Sequence, residues 1–367
     1  MKDGITSSGL LALSPASEKA LAGREPTQIP TQRRTPQGGP RGGTLVPPRS
    51  PSCDHIAVRI LLTGATGYIG AAVAESLARR GHTVVGTART DDAEAALGAH
   101  GYAPVRADLH DPGGLARAAE GCDAIIHAAA TQDDDMGPAE QAAVRAMLAA
   151  VRGTDAPFVY TSGVWVYGSA PPGRLLDEDS PTDPVATFAW RPGLESEVVA
   201  AAADGARTVV IRPGMVYGRG GGPLNQFAAM ADAGVPRYVG DGENHWTLVH
   251  VDDLADLYAL AIERAPAGTL VNGVVGPPLR VRDMAEAATA GAGFVVPPAP
   301  WPVAEATAEL GPEDADGVTR DHRISGERAR TLLGWEPSPR SPLAELRGQA
   351  GAGSGISSQV MPETPSQ

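Results

Sequence analysis

Lysine is nearly missing from this chain of 367 residues, and aromatic side chains are scarce. The two lysines, Lys2 and Lys19, lie close to the N-terminus, so every Lys/Arg position after them is an arginine. Aromatic residues make up 4% of the chain, and the core must therefore be built mainly from Ala, Val, Leu and Ile. A chain of this length can still bury a large core, in one large α/β domain or in two smaller ones.

Cysteine and long apolar runs are also rare. Cys53 and Cys122 are far apart in unlike contexts, which gives neither a disulfide framework nor a zinc site. The eight histidines show no metal-ligand spacing, so no metal is expected. No run of about 18 apolar residues is present, and the sequence predicts no membrane span. These absences favour a cytoplasmic protein.

Negative charge dominates the chain, with a net charge of −13 at pH 7. Residues 1–50 carry seven Lys/Arg against three Asp/Glu, or +4, which leaves −17 for the remainder. Binding to nucleic acid needs clustered cations that neutralise phosphates. The charge therefore argues against a nucleic acid partner.

Both ends of the chain have the composition of disordered segments. Residues 1–56 are rich in Pro, Gly, Ser and Thr, as in "RTPQGGPRGG", and show no apolar periodicity. The apolar run at residues 10–13 is too short for the core of a signal peptide. Residues 346–367 have a similar composition. We predict a disordered N-terminal extension and a disordered C-terminal tail.

Short apolar runs alternate with alanine-rich helical stretches from residue 57 to residue 218. The runs predict strands at 58–64, 83–88, 103–109, 122–130, 157–163 and 207–214. Such alternation implies parallel strands with right-handed crossovers, in a Rossmann-type doubly wound α/β sheet. From 219 to 345 the rhythm loosens, which indicates a smaller C-terminal α/β subdomain that mainly serves a substrate.

The segment "LLTGATGYIG" is the strongest motif of the chain. Gly64, Gly67 and Gly70 follow a buried strand and open a helix. Gly64 permits the tight turn, Gly67 lets the backbone approach a pyrophosphate, and Gly70 lets helix and sheet pack closely. The phosphates would lie on unpaired N–H groups at the helix N-terminus. We predict dinucleotide binding here, with contacts from Thr66, Tyr68 and Ile69 as well.

The end of the second predicted strand bears on the choice of dinucleotide. A carboxylate there would accept the ribose hydroxyls and favour NAD, whereas Arg89 can clamp a 2′-phosphate and favours NADP. Asp91 and Asp92 follow and are expected to cap the next helix. NADP(H) is therefore favoured over NAD(H). Asp108 and Leu109, after the third strand, are expected to border the adenine.

Six motifs between residues 58 and 340 resemble, in order, those of the extended short-chain dehydrogenase/reductase family, the NAD-dependent epimerase/dehydratase group. They are "TGATGYIG", "DAIIHAAA", "FVYTSGVWVYG", "VIRPGMVYGRGG", "TLVHVDDLADL" and "ISGERARTLLGWEP". The resemblance implies a Rossmann fold and a nicotinamide dinucleotide cofactor. It also implies that Ala128, Ala129, Ala130 and Pro213 lie beside that cofactor.

The catalytic residues of that family do not carry over cleanly. The family uses a Ser or Thr that holds the substrate carbonyl, a Tyr that donates the proton, and a Lys four residues later that lowers the pKa of the Tyr and binds the ribose. With Glu195 as the glutamate that often follows, Arg191 stands at the Lys position and Thr187 at the Tyr position. The Ser position falls on Gly163, and Ser162 is one residue away, where its side chain can point to the other face.

Three residues remain candidates for chemistry: Ser162, Tyr167 and Arg191. Arg191 can hold the nicotinamide ribose or a substrate oxyanion, but it cannot act as a general acid. Its alternative is a helix-start residue that pairs with Glu195 at i+4. Tyr167 is either a proton donor or a structural residue. His127 is expected to pack beside the cofactor rather than act as a base.

Three functions remain open for an atypical family member of this kind. The first is an NADP-dependent oxidoreductase that acts on a carbonyl or alcohol of a small molecule and lacks the Tyr–Lys pair. The second is a non-redox isomerase, dehydratase or cyclase that keeps the dinucleotide as an orienting group. The third is a dinucleotide-sensing binding protein. Family members are often dimers, which makes a homodimer one expectation.

Overall fold

The computed structural model of the chain describes residues 57–131, 135–295 and 297–349. The predicted N-terminal extension, residues 1–56, lies outside the described residues. So does most of the predicted C-terminal tail. A helix at Pro342–Gln349 extends into the segment predicted as tail, and its Leu346 is fully buried.

The strands of the central sheet start where the apolar runs predict them, although β3, β4 and β5 are shorter than expected. In chain order the strands are β1 Arg59–Thr63, β2 Thr83–Ala88, β3 Ala103–Arg106, β4 Ala124–His127, β5 Pro157–Thr161, β6 Arg207–Pro213, β7 Met215–Tyr217, β8 Arg237–Val239, β9 His245–His250, β10 Thr269–Gly273, β11 Val275–Arg280 and β12 Ala299–Trp301.

Helices fill the intervals, as the alanine-rich stretches predict. They are α1 Tyr68–Arg79, α2 Asp91–Ala99, α3 Pro112–Ala119, α4 Met136–Val151, α5 Arg191–Ala200, α6 Pro223–Asp232, α7 Val251–Arg264, α8 Val281–Gly291, α9 Val303–Leu310, α10 Pro312–Thr319, α11 Glu327–Leu333 and α12 Pro342–Gln349. Short 3₁₀ turns lie at Val164–Val166, Ala186–Phe188 and Ala201–Asp204.

Seven parallel strands form the central sheet, in the order β10-β6-β5-β4-β1-β2-β3. The predicted Rossmann-type fold is confirmed. The order reverses between β1 and β4, where Thr63 pairs with His127 at the carboxyl ends of the strands. Ligands of open α/β sheets bind in the crevice at such a switch point. The topology thus places the glycine turn after β1 at the edge of a ligand crevice.

Side chains that alternate along β1 divide the core into two layers. Ile60 and Leu62 pack with Leu77 of α1 on one face, while Leu61 packs with Leu115 of α3 on the other. All five are at most 1% exposed. Complete burial of such a side chain contributes about 1.5–3 kcal/mol. The turn after β1 is therefore anchored by a strand that is packed from both sides.

The range 219–345 contributes to two parts of the molecule. Strand β10 joins the central sheet beside β6, so part of this range completes the Rossmann fold. The remaining strands of this range form a sheet with β7, in the order β11-β9-β7, and a pair β12-β8. A second core around Trp246, Met284 and Leu346 holds this part together.

Candidate functional site

The turn after β1 requires glycine at two of its positions. Gly64 has φ +73°, and a Cβ there would lie 2.7 Å from the carbonyl oxygen of Ala128. A Cβ on Gly70 would lie 1.9 Å from the carbonyl oxygen of Gly64. Both contacts are far too short for a side chain. Gly64 therefore makes the tight turn, and Gly70 allows the close approach of α1, as the motif predicts.

The N-terminus of α1 is open toward the crevice. Gly67 caps the helix without a side-chain hydrogen bond, and the first turn contains no acidic residue. Thr66 and Gly67 are exposed, and a Cβ on Gly67 would meet only the Gly64 carbonyl oxygen, at 3.2 Å. The N–H groups of the first turn have no intrahelical acceptors, and the helix dipole favours an anion there. The site therefore fits a dinucleotide pyrophosphate.

Tyr68 and Ile69 lie half-buried in the first turn of α1. The Tyr68 hydroxyl donates a hydrogen bond to the carbonyl of Gly218, at 2.7 Å. Burial raises the pKa of Tyr68, so the phenol stays protonated. Ile69 packs against the core. Tyr68 thus ties the open helix end to the loop after β7, and Ile69 ties it to the core.

Arg89 follows β2 as an exposed side chain, and no ion pair holds its guanidinium within the part of the chain that the structure describes. The acids nearby are already engaged, since Arg106 pairs with Asp91 and, at 2.8 Å, with Glu94. Arg106 also donates to the Arg89 carbonyl, at 2.8 Å. Thr90 supplies the side-chain cap of α2, whereas Asp91 and Asp92, expected to cap it, lie as acids in its first turn. The arrangement leaves Arg89 available to a phosphate.

Asp108 and Leu109 lie beyond β3, one strand further from the switch point. The Asp108 carboxylate accepts hydrogen bonds from the backbone N–H of His110, at 2.8 Å, and from its ring, at 3.0 Å. The backbone hydrogen bond is the main cause that lowers the pKa of Asp108. Leu109 is buried, with 6% exposure. Asp108 therefore shapes the turn after β3 and stays ionised at neutral pH.

Three alanines line the crevice after β4. Ala128 and Ala129 are half-buried and Ala130 is exposed, so the backbone there is accessible. The N–H groups of Ala128 and Ala129 donate to the Thr63 hydroxyl oxygen, at 3.2 and 3.3 Å. This side chain thus links the ends of β1 and β4 at the switch point. The small alanine side chains leave room for a flat ligand.

His127 lies below these alanines as a buried, neutral ring. Its Nδ1 atom is 2.8 Å from the Thr63 hydroxyl, and the ring stacks on Tyr160 with centroids 6.0 Å apart. Burial, and then the charge of Arg191, lowers the pKa of His127 to about 3. The ring therefore supports the crevice, and its low pKa argues against a role as a base at neutral pH.

Ser162 and Pro213 end neighbouring strands on the other side of the crevice. Ser162 is 5% exposed, and its backbone N–H donates to Ile211 at 2.8 Å. Its hydroxyl has no hydrogen-bond partner among residues 57–131, 135–295 and 297–349. Pro213 is buried and pairs with Gly273 of β10. The Ser162 hydroxyl is thus a buried polar group with unused hydrogen-bonding capacity.

Arg191 begins α5 and is the only one of the three predicted catalytic residues that carries a charge. Its side chain is 10% exposed, and its Nη2 atom lies 3.5 Å from the Glu140 carboxylate. The guanidinium stacks over Phe188, at 4.5 Å from the ring centroid, and over Trp190, at 5.2 Å. Thr187, at the family's Tyr position, is exposed. The structure thus surrounds the Arg191 guanidinium with one carboxylate and two aromatic rings.

Gly163 faces this guanidinium. A Cβ on Gly163 would lie 3.5 Å from the Arg191 Nη1 atom, and nothing else within 4 Å would touch it. Gly163 is half-buried and has an extended φ of −178°, which any residue can adopt. Because Gly163 has no side chain, a gap lies between its Cα atom and the Arg191 guanidinium.

The alternative for Arg191, a helix-start residue that pairs with Glu195 at i+4, holds for the helix start but not for the pairing. Glu195 binds Arg212 of β6 through two hydrogen bonds, at 2.9 and 2.5 Å, with both side chains at most 5% exposed. Arg191 pairs with Glu140 instead. Helix α5 points Glu195 toward β6 and Arg191 toward α4, so neither completes the expected surface pair.

Tyr167 occupies the centre of the Arg212 network. It is fully buried, and its hydroxyl accepts from Arg212 at 2.6 Å and lies 2.9 Å from the Asp177 carbonyl and 3.0 Å from Asn272 Oδ1. Burial raises the pKa of Tyr167 to about 12. This geometry favours the structural alternative for Tyr167 over the proton donor.

Two residues of the site were not singled out by the sequence. Glu140 lies in the alanine-rich segment "GPAEQAAVRAML", where a lone acid on a predicted core helix is the signal that was available. Gly163 emerged only as the position where a serine was expected.

Across the described ranges, no group of His, Cys, Asp and Glu side chains is placed to hold a metal ion. No helix in these ranges is both long and apolar enough to cross a membrane.

Proteins similar in sequence include a yeast protein and a bacterial reductase. An uncharacterized protein of Saccharomyces cerevisiae is 32% identical over 300 residues, which are 79% of this chain and 98% of that protein. The 2-alkyl-3-oxoalkanoate reductase of Stenotrophomonas maltophilia is 31% identical over 244 residues, 62% of this chain and 73% of that protein.

Solved structures share the fold. Human epimerase family protein SDR39U1 (isoform 2), solved with NADPH, has a TM-score of 0.63 and 24% identity over 80% of this chain and 99% of that chain. At this identity the likeness supports the fold alone. A sequence model of the family matches residues 60–272, from β1 to β10. Together with the glycine turn, this match shows that the chain belongs to the NAD dependent epimerase/dehydratase family.

Proposed function

We propose that the protein is an NADP(H)-dependent oxidoreductase that acts on a carbonyl or alcohol of a small molecule. Arg191 holds the reacting oxygen in place of the missing Tyr–Lys pair. The observation that carries the proposal is the gap beside Gly163, where an added Cβ would lie 3.5 Å from Arg191 Nη1 and meet nothing else within 4 Å. Residues of the range 219–345 that cover the strand ends would supply most of the substrate surface.

The crevice provides the groups that such a cofactor needs. The open N-terminus of α1 binds the pyrophosphate, and the exposed, unpaired Arg89 clamps the 2′-phosphate. The backbone of Ala128–Ala130 and Pro213 lie at the neighbouring strand ends. When bound, the nicotinamide supplies or accepts a hydride. The reason to favour NADP(H) is that Arg89 is exposed and engaged by no ion pair in the described chain, while Asp91 and Glu94 beside it pair with Arg106.

Arg191 supplies electrostatic stabilisation rather than a proton. A guanidinium in a dry site stabilises negative charge that develops on a carbonyl oxygen, and a single such donor is worth on the order of 100- to 1,000-fold in kcat. It remains protonated throughout and cannot be the acid. His127, with a pKa of about 3, and Tyr167, with a pKa of about 12, are unsuited to that task. Water or the substrate therefore supplies the proton.

One relative supports carbonyl chemistry. The Stenotrophomonas maltophilia protein is named a 2-alkyl-3-oxoalkanoate reductase, so a sequence 31% identical to this one carries a reductase function. We extend to this chain only the class of reaction, the reduction of a carbonyl group.

A second candidate is a non-redox enzyme that keeps the dinucleotide as an orienting group. It is favoured by the protonation states of His127 and Tyr167, since neither residue suits a proton donor at neutral pH. An isomerase or dehydratase that relies on an oxyanion-stabilising cation would not need a tyrosine.

The deciding experiment is hydride tracing. The full-length protein is incubated with stereospecifically deuterated NADPH and a panel of aldehydes, ketones and 3-oxo acids, and the product carbon is analysed by mass spectrometry. We expect deuterium in the product. Arg191→Met should lower kcat/KM by on the order of 100-fold while the Kd for NADPH stays within a few-fold.

The matched control is Arg145→Met. Arg145 also joins α4 to α5, through Glu197 at 3.0 Å, but it lies on the surface. Its loss should leave kcat/KM unchanged. Product formation without deuterium transfer would replace the first candidate by the second, and an active Arg191→Met protein would refute the role given to Arg191.

A further inference from the structure

Helix α4 buries one carboxylate beside the proposed oxygen site. Glu140 is 2% exposed, and its Oε1 atom accepts a hydrogen bond from the Tyr160 hydroxyl at 2.7 Å. Its Oε2 atom lies 3.5 Å from Arg191 Nη2. Isolated charges are rarely buried, because desolvation costs more than a loose contact returns. Glu140 and Arg191 thus require each other.

The two buried arginine–glutamate pairs at α5 differ in how completely they are satisfied. Arg212 and Glu195 make two hydrogen bonds with each other, and Arg212 makes a third to Tyr167. In the other pair, Arg191 Nε and Glu140 Oε2 have no hydrogen-bond partner among the residues that the structure describes. A buried polar atom left unpaired costs about 1–3 kcal/mol, and such costs concentrate at functional sites. The pair at Glu140 therefore keeps capacity for a ligand.

Two aromatic rings also restrict the Arg191 guanidinium, and helix α4 packs against one of these rings. Phe188 and Trp190 lie 4.5 and 5.2 Å from the Arg191 guanidinium carbon. A Cβ on Gly137, one turn before Glu140, would lie 2.9 Å from the Trp190 indole nitrogen. The first turn of α4 thus packs on Trp190 while its next turn presents the carboxylate.

We infer that Glu140, fixed by Tyr160, is the positioning residue that holds the Arg191 guanidinium against the gap beside Gly163. The inference rests on the proposed function for its catalytic consequence. The geometric part concerns this chain alone. An arginine alone would move on its flexible side chain, and Glu140 gives Arg191 a fixed partner. A displacement of about 1 Å at such a site can cost on the order of 100-fold in rate.

The test is Glu140→Gln, which keeps the volume and an acceptor for Tyr160 but places an amide N–H₂ toward the guanidinium. Glu195→Gln is the control, since it removes the buried carboxylate of the saturated pair, on the helix that also carries Arg191. Glu140→Asp is the conservative variant that keeps the charge. Each is made in the full-length protein.

Two measurements are needed. The first is ¹⁵N NMR of the arginine guanidinium groups, with the Arg191 signals assigned by their loss in Arg191→Lys. We expect faster proton exchange at Arg191 in Glu140→Gln, and in Glu195→Gln a change at Arg212 instead. The second is steady-state kinetics, in which Glu140→Gln should lower kcat by on the order of 100-fold with NADPH affinity unchanged, and Glu140→Asp should recover part of it.

The two measurements can refute the positioning role and its catalytic consequence separately. An Arg191 signal that is unchanged in Glu140→Gln would overturn the positioning role whatever the activity. A changed signal with unchanged kcat would overturn the catalytic consequence of Glu140. If the wild-type protein transfers no hydride to any carbonyl in the panel, the proposed function fails, and the NMR result alone decides whether Glu140 positions Arg191.

Discussion

Arg191 and Glu195 lie one turn apart on α5 and do not pair with each other. Arg191 turns to Glu140 of α4, and Glu195 turns to Arg212 of β6. An i,i+4 pair on a helix surface contributes about 0.2–0.5 kcal/mol, and this helix forgoes it. Instead, one short helix carries two buried ion pairs of opposite polarity.

These two pairs hold different parts of the candidate site. The saturated pair ties α5 to β6 and to Tyr167, so it fixes the helix. With the helix fixed, the unsaturated pair can hold a cation at the gap beside Gly163. In the function proposed above, this cation is the group that would stabilise a developing negative charge in a chain without a lysine after Lys19.

Two glycines of the turn after β1 should respond differently to substitution. Gly67→Val extends a side chain over the open end of α1, where the Gly64 carbonyl oxygen is its nearest contact at 3.2 Å. We expect retained folding and NADPH affinity reduced by on the order of 100-fold, about 2.7 kcal/mol. Gly70→Ala forces a 1.9 Å contact and should destabilise by about 3 kcal/mol. Calorimetry and thermal unfolding separate the two; unchanged affinity in Gly67→Val would count against the pyrophosphate site.

Arg89→Asp should shift preference from NADP toward NAD. The substitution removes a cation that no ion pair engages in the described chain and adds a carboxylate suited to ribose hydroxyls. A charge-assisted contact is worth about 1.5–3 kcal/mol, so the ratio of NADPH to NADH affinity should fall on the order of 100-fold. Isothermal calorimetry with both dinucleotides measures it. Arg174→Asp, another exposed arginine, is the charge-matched control and should leave the ratio alone.

Gly163→Ala should fill the gap without disturbing the fold. Its φ of −178° suits any residue, and the added methyl would touch only Arg191 Nη1, at 3.5 Å. We expect unchanged stability and NADPH affinity, with kcat/KM lowered on the order of 10-fold or more. Gly193→Ala on α5 adds a methyl that meets nothing within 4 Å, and it should leave kcat/KM unchanged. Equal activity in both variants would mean that no substrate oxygen enters beside Gly163.

The sequence predicts the sheet well, because the apolar runs and the glycines that follow them indicate the same strand positions. Buried strands such as "VRILLTG" end in glycine, and the parallel topology follows from alternation with helices. The roles of Gly64 and Gly70 follow from the same local geometry, and both are confirmed.

The partners of Arg191 were not predictable in the same way. Local spacing favours Glu195, four residues on, whereas Glu140 is 51 positions away and meets Arg191 only when α4 and α5 pack on one face of the sheet. The register of a helix against its neighbour depends on tertiary packing, which a single sequence does not display. For the same reason, the burial of Tyr167 by Arg212 and Asn272 could not be read from "VWVYG".

Tyr167→Phe should distinguish the two roles that the sequence leaves open for this tyrosine. Removal of the hydroxyl deprives Arg212 of one acceptor and Asn272 of a neighbour in a buried network. We expect a loss of about 1–3 kcal/mol in unfolding free energy, with kcat of the remaining folded enzyme within a few-fold of wild type. Denaturant unfolding and kinetics on the same samples give both numbers. A collapse of kcat at unchanged stability would restore Tyr167 as a proton donor.

Acid should destabilise the protein partly through His127. Its pKa is lowered by burial to about 3 in the fold, against about 6.5 when unfolded. Between these values the unfolded chain binds the extra proton, so this stability is present above about pH 6.5 and is lost as pH falls. At about pH 5 the loss from this residue is about 2 kcal/mol, since each pKa unit corresponds to about 1.4 kcal/mol.

His127→Asn isolates that contribution, because it keeps a polar group near the Thr63 hydroxyl but cannot be protonated. The quantity to compare is the slope of unfolding free energy against pH from about 7 to about 5, since the smaller side chain also lowers stability at every pH. Other groups, such as Asp314 with its pKa raised by burial to about 6, act alike in both proteins and cancel. A shallower slope in His127→Asn is the expected result. Parallel slopes would show that the imidazole takes up a proton inside the fold, which would reopen His127 as an acid or base beside Arg191.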